Sequence, residues 1–374
     1  MTRLDPVRLT QDLLRLNTIN PPGNEAACAQ LLGKLLSDAG FRIRYHQLAP
    51  QRLNLLAELG GPSEDPPLCF TGHIDVVPLG AAGWKKDPFA GETDDGRLYG
   101  RGSSDMKSGV AAFVVAATNM ARHVERGPGV SLVITAGEET GCQGAFALLR
   151  DGALGRAGAV VVAEPSSNYP FVGHKGAFWL RATTRGVTAH GSMPEKGDNA
   201  LYKAARALAK LESFRFPNPP HALMGQATLN VGTLHGGLNI NSVPDRATME
   251  IDIRTVPTVD HGGLLDTLAQ QLGPEVELET IIDLESVYTE PSHAWIQEVF
   301  EVMRGVLGIQ PKPAVATYFT DAAALSRAFS APPTIILGPG EPQMAHQTDE
   351  YCVTERIGQA SAAYEEIIRR WCLA

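Results

Sequence analysis

The chain has 374 residues, 44% of them hydrophobic and 20% charged, with 41 acidic against 32 basic side chains and a net charge of −9. That length exceeds what a single core usually organises, so two domains are expected. The acidic balance, with no cluster of Lys and Arg, excludes the electrostatic footprint of a nucleic-acid or anionic-membrane binder and favours a small-molecule partner. No apolar run approaches the roughly 18 residues of a membrane span. The opening Met1-Thr2-Arg3-Leu4-Asp5-Pro6 lacks the apolar segment of a secretory leader, which points to the cytoplasm. The cysteines Cys28, Cys69, Cys142, Cys352 and Cys372 have no CxxC spacing and read as reduced, packed thiols.

Helical spacing from Asp5 to Leu16 is broken at Asn20-Pro21-Pro22-Gly23, and a second helix runs to Leu36. Short apolar runs then alternate with helical stretches: strands at Leu53–Leu59, Leu68–Thr71, Val130–Thr135 and Val160–Ala163, and a helix from Met106 to Arg122. The middle follows a different order, βαββαβ, with strands at Ala177–Thr183, Thr228–Gly232, Arg246–Arg254 and Val276–Ile282 and helices at Asn199–Leu211 and His261–Leu272. Within Arg246–Arg254, Ala247, Met249, Ile251 and Ile253 alternate with Thr248, Glu250, Asp252 and Arg254, so one face is wet. The α/β rhythm resumes with a helix from Trp295 to Leu307, a strand at Val315–Phe319, a helix near Ala322–Ala328, a strand at Thr334–Leu337 and a last helix to Trp371. These patterns predict a mixed-sheet α/β domain over 1–171 and 285–374, and an inserted ferredoxin-like (βαββαβ) unit over 172–284.

Acidic or imidazole groups stand just beyond the carboxyl ends of the expected buried strands, where open α/β sheets bind ligands. Leu68–Thr71 leads to Gly72-His73-Ile74-Asp75, Val130–Thr135 to Gly137-Glu138-Glu139, Val160–Ala163 to Glu164-Pro165, and Thr334–Leu337 to a loop ending in Ala345-His346. Asp105 opens a helix after Gly100-Arg101-Gly102-Ser103-Ser104. Singly, each has an ordinary reading: a loop histidine, a solvated helix start, a helix N-cap. Together they would form a nest of carboxylates that stays ionised only with a strong positive counter-charge. Two divalent cations against Asp105, Glu139 and Glu164 leave one positive charge for a hydroxide. Imidazole and carboxylate donors without thiolate suit Zn²⁺, Co²⁺ or Mn²⁺.

The stretches Gly72-His73-Ile74-Asp75-Val76-Val77-Pro78, Tyr99 to Gly109 and Gly137-Glu138-Glu139-Thr140-Gly141 resemble the M20 metallopeptidase and aminoacylase family. The likeness continues through Glu164-Pro165, Thr188-Ala189-His190-Gly191, Asn241-Ser242-Val243-Pro244, Arg254 and Ala345-His346. It implies two Zn²⁺ per subunit, for which Co²⁺ could substitute, bridged by Asp105, with His73 and Glu164 on one ion and Glu139 and His346 on the other. It implies that Glu138 is the general base and that the Asp75 carboxylate accepts the spare N–H of His73. It also implies a cis peptide after Asp105, and an oxyanion donor in His190 that acts from the opposite subunit of a homodimer through the inserted lid and dimerisation domain. Arg254 with Asn241 would hold the substrate α-carboxylate.

The expected activity is hydrolysis of the N-acyl amide of an amino acid. The tail Leu337-Gly338-Pro339-Gly340 to Tyr351 resembles the acetylornithine deacetylase branch. Succinyl-diaminopimelate desuccinylase is the alternative and an M20 carboxypeptidase or dipeptidase the next, with an idle metal-binding scaffold more remote. After Thr320-Asp321 stand Ala322-Ala323, without the Arg that many desuccinylase- and carboxypeptidase-like members carry there.

Overall fold

Strands that are apolar on both faces need cover on both sides, and four runs of this kind form the centre of the first unit. In the computed structural model, which describes residues 4–61, 63–125 and 127–373, all residues of Leu68–His73, Val130–Thr135, Ala159–Val162 and Thr334–Ile336 are buried. Met1–Arg3 in the opening segment, Pro62 in a Pro-rich loop, and Ala374 lie outside the described residues.

The chain divides into two units, Met1–Gly173 with Tyr288–Ala316 and Thr320–Ala374, and His174–Val287 with Thr317–Phe319. The first carries a six-stranded sheet in the order Arg42–Ala49, Arg52–Leu59, Val130–Thr135, Leu68–His73, Ala159–Val162, Thr334–Ile336. The last four are mutually parallel and the first two antiparallel, which makes the sheet mixed. Helix Ser108–Val124 packs against Thr354–Leu373 and Pro6–Leu14, while Gln143–Arg150 packs against Ala322–Ala328. Ser108–Val124 lies so close to the sheet that a Cβ on Gly109 would sit 2.1 Å from the Ala163 carbonyl oxygen. A small three-stranded sheet joins Tyr351–Val353, Arg97–Tyr99 and Glu92–Asp94.

The second unit runs strand, helix, two strands, helix, strand. Its sheet has the order Thr228–Gly236, Arg246–Thr255, Gly176–Arg185, Val276–Leu284, antiparallel throughout. Helices Ala200–Glu212 and His261–Leu272 pack on it. Their starts are capped by Asn199, whose side chain accepts from the Leu201 and Tyr202 amides, and by Asp260, which accepts from Gly263. Ala247, Met249, Ile251 and Ile253 are buried. On the other face Arg181 pairs with Glu250 and Glu279 at 3.2 Å each.

Three expectations need correction. Arg42–Ala49 is a strand that local pattern does not announce, because it is an edge strand with mostly half-buried or exposed residues, defined by its pairing to Arg52–Leu59. Val315–Phe319 is not a strand: Ala316 alone forms a bridge, donating to Gly173 at 2.9 Å, and the chain bends at Thr317 and Tyr318, so no ladder runs along the segment. The helix expected from Met106 begins at Ser108, because Asp105 and Met106 have non-helical dihedrals inside the turn Ser103–Lys107.

Candidate metal centre

The parallel register brings the carboxyl ends of adjacent strands together, with His73 opposite Thr135 and Thr71 opposite Val162. His73 is the last residue of its strand, Glu138 and Glu139 follow the next strand within four residues, and Glu164 follows Val162 within two. The fifth group, Asp105, is presented by the turn Ser103–Lys107, and the Asp105–Met106 peptide is cis. His346 follows the short turn Pro342–Met344 with a φ of 64°.

The two oxygens of Asp105 face different histidines: Oδ1 lies 3.1 Å from His73 Nε2, and Oδ2 lies 3.5 Å from His346 Nε2. His73 Nε2 is also 3.7 Å from Glu164 Oε1, and His346 Nε2 is 3.0 Å from Glu139 Oε2. Donor atoms of His73, Asp105 and Glu139 all fall within 4.8 Å of one another. His73 Nδ1 is 3.0 Å from the Asp75 carbonyl oxygen, an acceptor, so Nδ1 carries a hydrogen and Nε2 is the nitrogen that faces the cluster.

That contact corrects the expected role of the Asp75 carboxylate, whose Oδ1 stands 3.6 Å from His73 Nδ1. The carboxylate is engaged elsewhere, accepting from the Glu138 amide at 3.1 Å, the Glu139 amide at 3.2 Å and Asn20 Nδ2 at 2.9 Å. A buried anion is stabilised best by converging N–H donors, and those on the 138–139 turn are the ones in reach. Asp75 therefore aims the acidic pair, while its main chain orients His73. Asn20 also donates to Thr140 Oγ1 at 3.0 Å, and Asn54 Oδ1 accepts from Ala136 at 2.9 Å. Sequence reasoning took Asn20 only as part of a helix break; its neighbours Pro21-Pro22-Gly23 masked a side chain aimed inward.

Electrostatics decide whether a cation suits this place. Burial pushes Glu138 well above the ordinary carboxylate range; His73 opposes the shift, while Glu164, Glu139 and Asp321 add to it. Glu164 is raised well above that range by burial, with Asp105, Glu139 and Asp321 adding and His73 opposing. Burial disfavours charge on His73, but Glu164, Asp105 and Glu138 outweigh it and lift its pKa. Such a group of acids favours added positive charge, and its imidazole and carboxylate donors are the set that divalent Zn²⁺, Co²⁺ or Mn²⁺ accepts, so the residues fit the ions. Cys142 Sγ lies 3.7 Å from Glu138 Oε1.

His190, Asn241 and Arg254 belong to the second unit. His190 is exposed; the Ser192 amide donates to its Nδ1 at 3.2 Å, and Ser192 Oγ lies 2.7 Å from the same nitrogen. Asn241 adjoins it, accepting from the Gly191 amide at 2.7 Å through its carbonyl. The Arg254 guanidinium is held by Asp252, with Nε 2.9 Å from Oδ1 and Nη2 3.1 Å from Oδ2, and lies about 6.0 Å from the Trp179 ring centroid.

The chain is similar to several known proteins. The chain is 33% identical over 385 residues to a succinyl-diaminopimelate desuccinylase of Cereibacter sphaeroides, covering 98% of each chain. It is 30% identical over 357 residues to an acetylornithine deacetylase of Edwardsiella ictaluri, covering 91% of this chain and 90% of that one. Among solved structures, an M20 family metallo-carboxypeptidase of Sulfolobus solfataricus superposes with a TM-score of 0.82 at 17% identity, over 98% of this chain and 99% of the other. A Bacillus subtilis protein described as a dinuclear metal binding peptidase superposes with a TM-score of 0.73 at 16% identity, over 97% and 96%. The protein is a hydrolase of amide bonds. It belongs to peptidase family M20/M25/M40, whose profile matches residues 69–370, and that family is metal-dependent. Among the described residues no helix is long and apolar enough to cross a membrane.

Proposed function

We propose that this chain is a dinuclear-zinc amidohydrolase that removes the acyl group from an N-acyl amino acid, with acetylornithine-type substrates first. The observation that carries the reading is the division of the Asp105 carboxylate between His73 and His346, with the buried Glu138 close enough to feel the charge of His73, Glu164 and Glu139. His73, Asp105 and Glu164 would hold one ion, and Asp105, Glu139 and His346 the other. When bound, the ions would acidify water and polarise an amide carbonyl.

The remaining work falls to the chain itself. Glu138 takes a proton from the attacking water and returns it to the leaving amine, a task suited to a carboxyl whose burial raises its pKa above the ordinary carboxylate range. Asp75 keeps that side chain in register through its two amide contacts. The Nε2–H of His190, acting from the opposite subunit of a homodimer, donates to the developing oxyanion. Arg254 and Asn241 hold the substrate α-carboxylate, with Asp252 keeping the guanidinium fork oriented. The five cysteines are free and buried, which supports work in a reducing cytoplasm.

A succinyl-diaminopimelate substrate is the second reading, favoured by the 33% identity to the Cereibacter enzyme. The first is favoured by Ala322-Ala323, which offer no cation to a succinyl carboxylate. The deciding experiment is a hydrolysis panel of N-acetyl-ornithine, N-acetyl-citrulline, succinyl-diaminopimelate and acidic dipeptides with Zn²⁺ or Co²⁺. N-acetyl-ornithine should give the highest kcat/KM; a higher value for a dipeptide would sink the deacylase assignment.

The shared site has its own test. His190→Ala and Glu138→Ala homodimers should each be inactive, and mixing them should restore part of the activity, because one hybrid active site is then intact. Demonstrated subunit exchange without recovery removes the cross-subunit role.

A further inference from the structure

We propose that Glu350, together with Arg101, is a positioning residue that holds the Asp105 backbone and the His346 turn in one frame. The inference rests on the metal-ligand roles proposed for those two residues. Glu350 is fully buried, and Arg101 is 1% exposed. Oε1 of Glu350 accepts from the Ser104 amide at 2.8 Å and the Asp105 amide at 3.0 Å, and Oε2 accepts from the Gly102 amide at 2.9 Å and Arg101 Nη1 at 2.7 Å. Each oxygen thus receives two donors, the full acceptor capacity of a carboxylate. Burial raises the pKa of Glu350 to about 7, while Arg101 and the Gly102 and Asp105 amides hold it down.

These bonds are aimed at the site. Two of them order the turn that presents Asp105, and a third comes from Arg101, whose Nη2 donates to the carbonyls of His346 at 3.4 Å and Pro78 at 3.2 Å. One ion pair therefore touches the main chain of two residues proposed to ligate the same ion. Around it the 97–105 and 346–353 segments are joined by the pairing of Arg97–Tyr99 with Tyr351–Val353, by Ser104 Oγ donating to Tyr351 at 2.7 Å, and by the Gly100 amide donating to the Glu350 carbonyl at 2.9 Å. A buried ion pair by itself is a weak source of stability, because desolvation offsets its attraction. Its worth here is directional: it sets where Asp105 and His346 point. Neither Arg101 nor Glu350 stood out in the sequence as more than a neighbour of a motif.

The test uses the full chain, stripped of metal and titrated with Co²⁺, followed by calorimetry and visible absorption. Glu350→Gln places an amide N–H₂ against amide donors, so the weaker of two Co²⁺ affinities should fall by about 10- to 100-fold, the range typical of supports behind metal ligands. The Co²⁺ absorption bands should shift, while near-ultraviolet circular dichroism of the metal-free protein stays close to wild type. Arg101→Lys provides the second variant if Glu350→Gln does not fold: it keeps the charge but loses the fork to the His346 carbonyl, and should shift the same bands. Wild-type affinities and an unaltered spectrum in the folded variants would overturn the proposal. Wild-type protein that takes up no Co²⁺ would instead overturn the metal reading beneath it.

Discussion

Glu138→Gln is expected to lower kcat by about 10²- to 10⁴-fold, the range a general acid–base group contributes, while two equivalents of metal remain bound. The substitution preserves shape but removes the group that accepts and returns the proton. It leaves His73, Asp105, Glu139, Glu164 and His346 untouched, and the Asp75 contacts to the amides of residues 138 and 139 do not involve the replaced atoms. Steady-state kinetics on the best substrate of the panel, together with metal analysis of the same sample, checks both halves. A variant retaining more than about a tenth of wild-type kcat would exclude Glu138 as the proton carrier. Loss of metal along with activity would make it a ligand instead.

Removing the metal should abolish turnover, and Zn²⁺ or Co²⁺ should restore it. Without a cation, Glu138, Glu139 and Glu164 all have raised pKa values, chiefly from burial and with repulsion from neighbouring carboxylates adding. Stability should fall with activity: a ligand present at a thousandfold excess over its Kd stabilises the folded state by about 4 kcal/mol. Thermal melts of stripped and reloaded protein, with residual metal measured, test this. Near-unaltered activity after verified stripping would refute a metal-dependent mechanism for this chain. An unaltered melting temperature would refute the stabilising role.

Much of the site was legible because its pieces follow a rule of position. Fully apolar strands such as Val130–Thr135 declare themselves, and the polar residues just after them are where a parallel sheet exposes its ligands. The edge strand Arg42–Ala49 was not legible, since an edge needs little burial and its identity lies in its partner. Val315–Phe319 misled in the opposite way, being apolar without a ladder. The Asp75 carboxylate misled through spacing: a residue two positions from His73 can reach it, but competing amides on the 138–139 turn take the carboxylate and leave the carbonyl to the imidazole.

By itself the sequence determined where most helices and the fully apolar strands run, since periodicity and apolar runs are local, and which residue types could ligate or carry a proton. Only the tertiary structure decided that Asp105 divides its oxygens between His73 and His346, that Asp75 supports Glu138 and Glu139, and that Glu350 lies behind Asp105. The reason is physical. Hydrogen bonds such as that between Glu350 and Asp105, 245 positions apart, obey no local repeat, and which lone pair meets which donor is settled by the competition of every group packed into the same volume.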